Sequence, residues 1–131
     1  MTFRAVGEIR AWALSQDLAV DIYRLTAREP SARDFGFRDQ IRRASVSISS
    51  NIAEGFGRGG DREFLRFLDI ARGSAHEVAS LLHLAGRLGY ATTEEITDLL
   101  RRVDDVVGRI AGLQNHLRSP RVGEEGEDYQ T

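Results

Sequence analysis

Three histidines and a cluster of serines are the side chains of this 131-residue chain whose types could support metal, acid–base or nucleophilic chemistry. A di-metal carboxylate site built on helices requires inward-facing Glu and Glu-x-x-His pairs. The residues three before His76, His83 and His116 are Gly73, Ser80 and Leu113, so no such pair exists. His76 and His83 stand two turns apart with Asp69 one heptad before His76, a spacing better explained by a solvated outer face than by a metal site. With no cysteine in the chain, disulfides and thiolate metal sites are excluded and nucleophilic catalysis falls to serine. Ser45, Ser47, Ser49 and Ser50 have no histidine nearby in sequence and no nucleophile-elbow motif. Small serines between packed helices account for them. The GFGRGG segment 55–60 resembles a phosphate cradle in composition only: no strand precedes it and no GK[ST] completes it. No catalytic residue, metal ligand, cofactor or small-molecule substrate is expected.

Arginine carries what remains of the chemistry. All 18 basic residues are arginine, a uniform usage that is best explained by a GC-rich genome rather than by selection for bidentate phosphate recognition. Residues 37–72 hold seven arginines, including Arg38, Arg42, Arg43, Arg58, Arg62 and Arg66, against five acids. Arg62 and Arg66 share a helix face one turn apart, close to where Arg58 enters the turn. These six are the candidate nucleic-acid-binding residues, because binding a polyanion needs a positive face. In a monomer, ordinary ion pairing such as Arg62 with Asp69 or Asp39 with Arg43 is the preferred explanation. Repetition of the patch in a symmetric oligomer would favour binding.

The element that must position these groups is the stretch Gln40–Arg58. At about 100° per residue, Phe37, Ile41, Ala44, Ile48 and Ile52 fall on one apolar face of a helix. Gln40, Arg43, Ser47, Asn51, Glu54 and Arg58 fall on a second, where a satisfied polar network is expected, joined by the carboxylate of Glu77. Val46, Ser49 and Ala53 fall on a third with Arg42. Small residues there would admit another helix, so these three are the candidate oligomer interface. A helix with a single core to join needs only the first face.

The remaining periodicity predicts three further helices. Glu8–Arg28 carries Ile9, Trp12, Leu18, Ala19, Ile22, Tyr23 and Leu25 at helical spacing, and Pro30 ends it. From Asp61 to Leu88 the series Phe64/Ala71/Val78/Ala85, Leu68/Ala75/Leu82 and Phe67/Ser74/Leu81/Leu88 make a bundle-type seam. Ile70, Glu77 and Leu84 form another series, which places Glu77 beside apolar neighbours. Thr92-Thr-Glu-Glu95 reads as a capping box opening a helix to about Leu117, with Ile96, Val103, Ile110 and Leu117 a heptad apart. Four helices with short links give an all-α, antiparallel up-down-up-down four-helix bundle spanning residues 1–118.

Residues 119–131 hold one arginine against four acids and are expected to be an acidic, disordered tail. Without them the chain carries 17 arginines against 16 acids, a net of +1, which excludes a generic polyanion binder by composition. No apolar run approaches the ~20 residues of a membrane span, and the N-terminal residues lack the features of a signal peptide. A cytoplasmic protein without membrane contact is expected.

The combination of Trp12 and Ile22-Tyr23, then QIRRASVSISSNIAEG (residues 40–55), then EFLRFL (63–68), ARGS (71–74), Glu77 and LGY (88–90) is specific. It resembles the bacterial four-helix bundle family named for ribosomal RNA intervening sequences, also called the S23 ribosomal protein family. The resemblance covers roughly residues 3–117. It implies an antiparallel bundle that assembles as a ring-like homopentamer, without enzymatic activity. It also implies kinship with the accessory protein of diversity-generating retroelements, a basic pentamer that works with a reverse transcriptase and nucleic acid. Gln40, Arg43, Ser47, Asn51, Glu54 and Glu77 carry over as signature positions. RNA, DNA or a nucleic-acid-handling protein is therefore the expected partner beside the chain itself. A purely structural or protein-interaction scaffold is the competing expectation.

Overall fold

A computed structural model describes residues 3–119; the acidic tail segment 120–131 lies outside the described residues. Four helices account for the fold: α1 (Arg10–Thr26), α2 (Phe35–Gly57), α3 (Asp61–Arg87) and α4 (Thr93–Arg118). Short 3-10 turns at Val6–Glu8 and Ser31–Arg33 precede α1 and α2. Each helix packs on the next in sequence and α4 closes back on α1, so the chain is an antiparallel four-helix bundle.

Local chemistry sets the helix ends. Asp34 accepts the amide of Phe37 and starts α2 two residues before the Phe37 expected from periodicity. The capping box at α4 forms as its spacing predicts: Thr92 Oγ1 accepts the Glu95 amide, and Glu95 accepts the Thr92 amide. Gly59 and Gly89 take positive φ, 85° and 74°, in the α2–α3 and α3–α4 turns.

The core follows the heptads. Ile41, Ile48 and Ile52 of α2, Leu68, Ala71, Ala75, Val78 and Leu82 of α3, and Val103, Val106 and Ile110 of α4 are buried together with Leu18 and Ile22 of α1. Burying each large aliphatic stabilises the fold by roughly 1.5–3 kcal/mol before entropy is counted. The approach of α2 to α3 is closest at Gly55, where an added Cβ would stand 2.7 Å from Phe67 Cβ. One expectation changes here, and one buried polar group is added. Leu88, placed in the α3 seam by its heptad, is 48% exposed, because α3 ends at Arg87 and the chain turns away. Gln114 is buried in α4, where its amide donates to Asp69 of α3 at 2.7 Å. No helix among the described residues is long and apolar enough to cross a membrane.

Candidate functional site

The polar face of α2 lines its seam with α3, and the expected single network resolves there into separate pieces. Gln40 donates to Glu77 at 3.4 Å across the seam. One helical level on, the hydroxyls of Ser47 and Ser74 bridge the two helices at 2.8 Å. Asn51 donates to the Ser47 carbonyl at 2.8 Å and to its hydroxyl at 3.0 Å. Glu54 accepts from Arg58 within its own helix at 3.1 Å. Arg43 takes no hydrogen bond or ion pair among the described residues, and it is exposed. Glu77, expected to be sheltered by apolar neighbours, is also exposed, since Ile70 and Leu84 beside it on α3 face outward.

The six candidate arginines do not form one patch. Arg38, Arg42 and Arg43 stand near the start of α2, whereas Arg58, Arg62 and Arg66 stand where α2 ends and α3 begins, at the opposite end of the bundle. Arg42 is a tie between helices: it donates to Thr26 Oγ1 at 2.8 Å and to the Tyr23 carbonyl at 3.2 Å, with its guanidinium 4.4 Å from the Tyr23 ring. Arg38 is held by Asp39, by the Ala32 carbonyl and by the Phe35 ring. Asp39 is therefore engaged by Arg38 rather than by Arg43. At the other end, Arg58 and Arg66 both lie against the Phe67 ring, at 5.1 and 4.4 Å. Arg66 also grips Glu63 through two nitrogens, which lowers the pKa of that carboxyl. Asp69 pairs with Arg72, leaving Arg62 without the expected partner. Arg4, Arg10 and Arg118 join this end of the molecule, because α1 begins and α4 ends there.

The third face of α2 is divided as well. Val46 is 43% exposed and Ala53 is half-buried, but Ser49 is 3% exposed and accepts from Gln16 of α1 at 2.9 Å. Ser49 is thus consumed by the α1–α2 contact and is removed from the interface set. Tyr23 of α1 and Val46 flank a shallow depression of about 430 Å³ with Asp39, Arg42 and Arg43, and Val20 lies one turn before Tyr23. A second apolar edge runs along α3, where Ile70, Leu84 and Leu88 are exposed.

The sequence profile of the 23S rRNA-intervening sequence proteins matches residues 7–112, which contain α1, α2, α3 and all but the last turns of α4. The chain belongs to the 23S rRNA-intervening sequence protein family. A solved structure from Bacteroides thetaiotaomicron VPI-5482, described as a protein with unknown function from the S23 ribosomal protein family, superposes with a TM-score of 0.73 at 25% identity. The superposition covers 79% of this chain and 97% of that one. No curated protein matches the chain.

Within this family member, periodicity passed over the ionic tie that joins α1 to α4. Arg28 donates to both carboxylate oxygens of Glu95, at 2.8 and 3.1 Å, and Arg102 reaches Asp21 at 2.8 Å. The Arg28 hydrogen bond and then the Thr92 amide hold the Glu95 carboxyl at about 2. At the same end Tyr90 donates to Asp34, lowering that carboxyl, and packs edge-on against Phe37 at 5.2 Å. The only advance signal was Glu95 in its capping box. Among the described residues no three His, Cys, Asp or Glu side chains are grouped to hold a metal ion.

Proposed function

We propose that this protein is a non-enzymatic, self-associating helical bundle that binds nucleic acid through the arginines at one end. One observation carries the reading. Among the described residues, Arg4, Arg10, Arg58, Arg62, Arg66 and Arg118 gather where α1 and α3 begin and α2 and α4 end, against Glu8, Glu54, Asp61 and Glu63. Arg62 and Arg118 form no ion pair with the described residues, and both are exposed. Guanidinium groups with free donors suit phosphate oxygens. The assembly is a head-to-tail ring of copies of the chain, in keeping with the pentamer that the family resemblance implies. Two distinct exposed apolar surfaces, Val20/Tyr23/Val46 and Ile70/Leu84/Leu88, support it, because a head-to-tail contact joins unlike surfaces.

Titration of single-stranded RNA and of duplex DNA at several salt concentrations tests the binding. The expected outcome is an affinity that falls with salt, and a shallower slope after Arg62→Gln with Arg66→Gln. A flat, salt-insensitive signal at micromolar protein overturns it. It would favour the second reading, a protein-interaction scaffold, which the ion pairing of Arg58 with Glu54 and of Arg66 with Glu63 supports.

A further inference from the structure

Arg43 of α2 and Glu77 of α3 carry opposite charges, and among the described residues neither takes an ion pair. Both are exposed. Asp39, one turn before Arg43, is engaged by Arg38. Arg42 beside it adds a second positive charge, held by two neutral oxygens, Thr26 Oγ1 and the Tyr23 carbonyl. On α3 the positions one turn from Glu77 are Gly73, Ser74, Ser80 and Leu81, so its own helix offers it no cation. The hydrogen bond it accepts comes from the neutral amide of Gln40, at 3.4 Å.

Each charge stands midway along an apolar stripe. Phe35, Val46 and Ala53 recur on one face of α2 over roughly 27 Å. Phe35 is 63% and Val46 43% exposed, and Ala53 is half-buried. Arg43 borders that stripe, between Phe35 and Val46. Ile70, Glu77 and Leu84 recur every seven residues on α3 over roughly 21 Å, and all three are exposed. The two stripes are similar in length and opposite in central charge. Gly73 and Ser80 flank Glu77 with small side chains, so a second helix can approach its carboxylate closely. A lone ion pair in water contributes little. One flanked by apolar contacts that displace water is held more strongly.

We propose that the outer stripe of α2 in one copy of the chain receives the α3 stripe of another, with the partner's Glu77 set against Arg43. This deepens the self-association reading above, and rests on it, by naming the contact and the charges that fix its register. Phe35 and Val46 then lie against the partner's Ile70 and the partner's Leu84. The apolar side chains supply burial, and the ion pair selects the register. Arginine against arginine or glutamate against glutamate would repel, which disfavours the pairing of either stripe with its own kind.

Sedimentation velocity over a concentration series tests the contact with the full chain, with Arg43→Glu, with Glu77→Arg and with the double variant carrying both. Each single reversal should raise the concentration for half-assembly on the order of tenfold or more. The double variant should return it to within about threefold of the unaltered chain. An equimolar mixture of the two single variants should also regain association. Within each of those chains positions 43 and 77 carry the same sign, so recovery on mixing can come only from contact between chains. Circular dichroism checks that helicity is retained; where a reversal lowers it, Arg43→Gln or Glu77→Gln takes its place, with weaker assembly again expected. Single variants that assemble like the unaltered chain overturn the proposal and leave self-association to another surface. A double variant and a mixture that both stay dissociated overturn it as well. An unaltered chain that sediments as the 14.6 kDa monomer at every concentration overturns the self-association reading, and this contact with it.

Discussion

Gly55 shows how little freedom single positions have where α2 and α3 converge. A methyl group there meets Phe67 Cβ at 2.7 Å and Phe64 Cδ1 at 3.1 Å, neither of them the far end of a flexible chain. Gly55→Ala should destabilise the protein by roughly 1–3 kcal/mol, as overpacking of a fixed contact does. Gly57, two residues on in the same helix, has nothing within 4 Å, so Gly57→Ala should be neutral or stabilising by up to about 1 kcal/mol. Paired urea unfolding curves check both, and equal responses would show that the close approach is not limiting. Glu95 gives a pH dependence with a definite sign. Its carboxyl is held at about 2, below the ordinary 4.5, by Arg28 and the Thr92 amide. The folded state therefore gains from the ionised form above pH 4.5 and loses that gain as pH falls toward 2. Because Arg28 is half exposed, the gain is modest and weakens with salt. Glu95→Gln should flatten the acid limb of the stability curve measured by urea midpoint; an unchanged limb would assign it to other carboxylates.

At the scale of the helix, α2 works by keeping three kinds of neighbour apart. Its isoleucines and Phe37 meet the core, the Ser47–Asn51 pair meets Ser74 of α3, and Ser49 meets Gln16 of α1. Asn51→Leu should cost about 1 kcal/mol, the scale of a lost partly buried hydrogen bond, and the melting temperature is the readout. A large loss of ligand binding with unchanged melting would move Asn51 from support to site. The helices and their buried faces were legible in the sequence because burial repeats with the period of the helix, and Ile41, Ile48, Leu68 and Val103 carry that period strongly. Contacts set by one atom were not. Ser49 looks like a small surface residue until Gln16 is seen to reach it. Arg42 looks like a phosphate ligand until Tyr23 and Thr26 are seen to hold it. Gln114 follows Leu113 on α4, and only packing shows that the amide rather than the leucine turns fully inward. Its Oε1 is buried with no partner among the described residues. Gln114→Met should therefore retain or raise stability while freeing Asp69, which thermal unfolding would show.

For the whole molecule, charge and apolar surface are distributed in ways that a monomer does not require. Ion pairs such as Arg28–Glu95 and Arg102–Asp21 balance the end where α1 finishes, while among the described residues arginines outnumber acids at the end where it starts. Besides Phe35 at the start of α2, the exposed large apolar side chains among the described residues lie at the α1–α2 depression and along α3. Single exposed apolar residues are ordinary, but Val20, Tyr23 and Val46 share the α1–α2 side, while Ile70, Leu84 and Leu88 are spread along α3 with Glu77 between the first two. If unlike surfaces join, each chain presents one of each and a ring can close. Light scattering should then give a multiple of the 14.6 kDa chain mass; a mass near that value sinks self-association. Val46→Glu with Ala53→Glu should dissociate the ring, and so should Ile70→Glu with Leu84→Glu, each with helicity retained. Mixing the two variants discriminates further. The first keeps an intact α3 edge and the second an intact α1–α2 surface, so together they can make one native contact and no more. A mixed sample should settle at twice the chain mass. If either variant alone forms a dimer, like surfaces pair with like, and the closed ring gives way to a two-fold assembly.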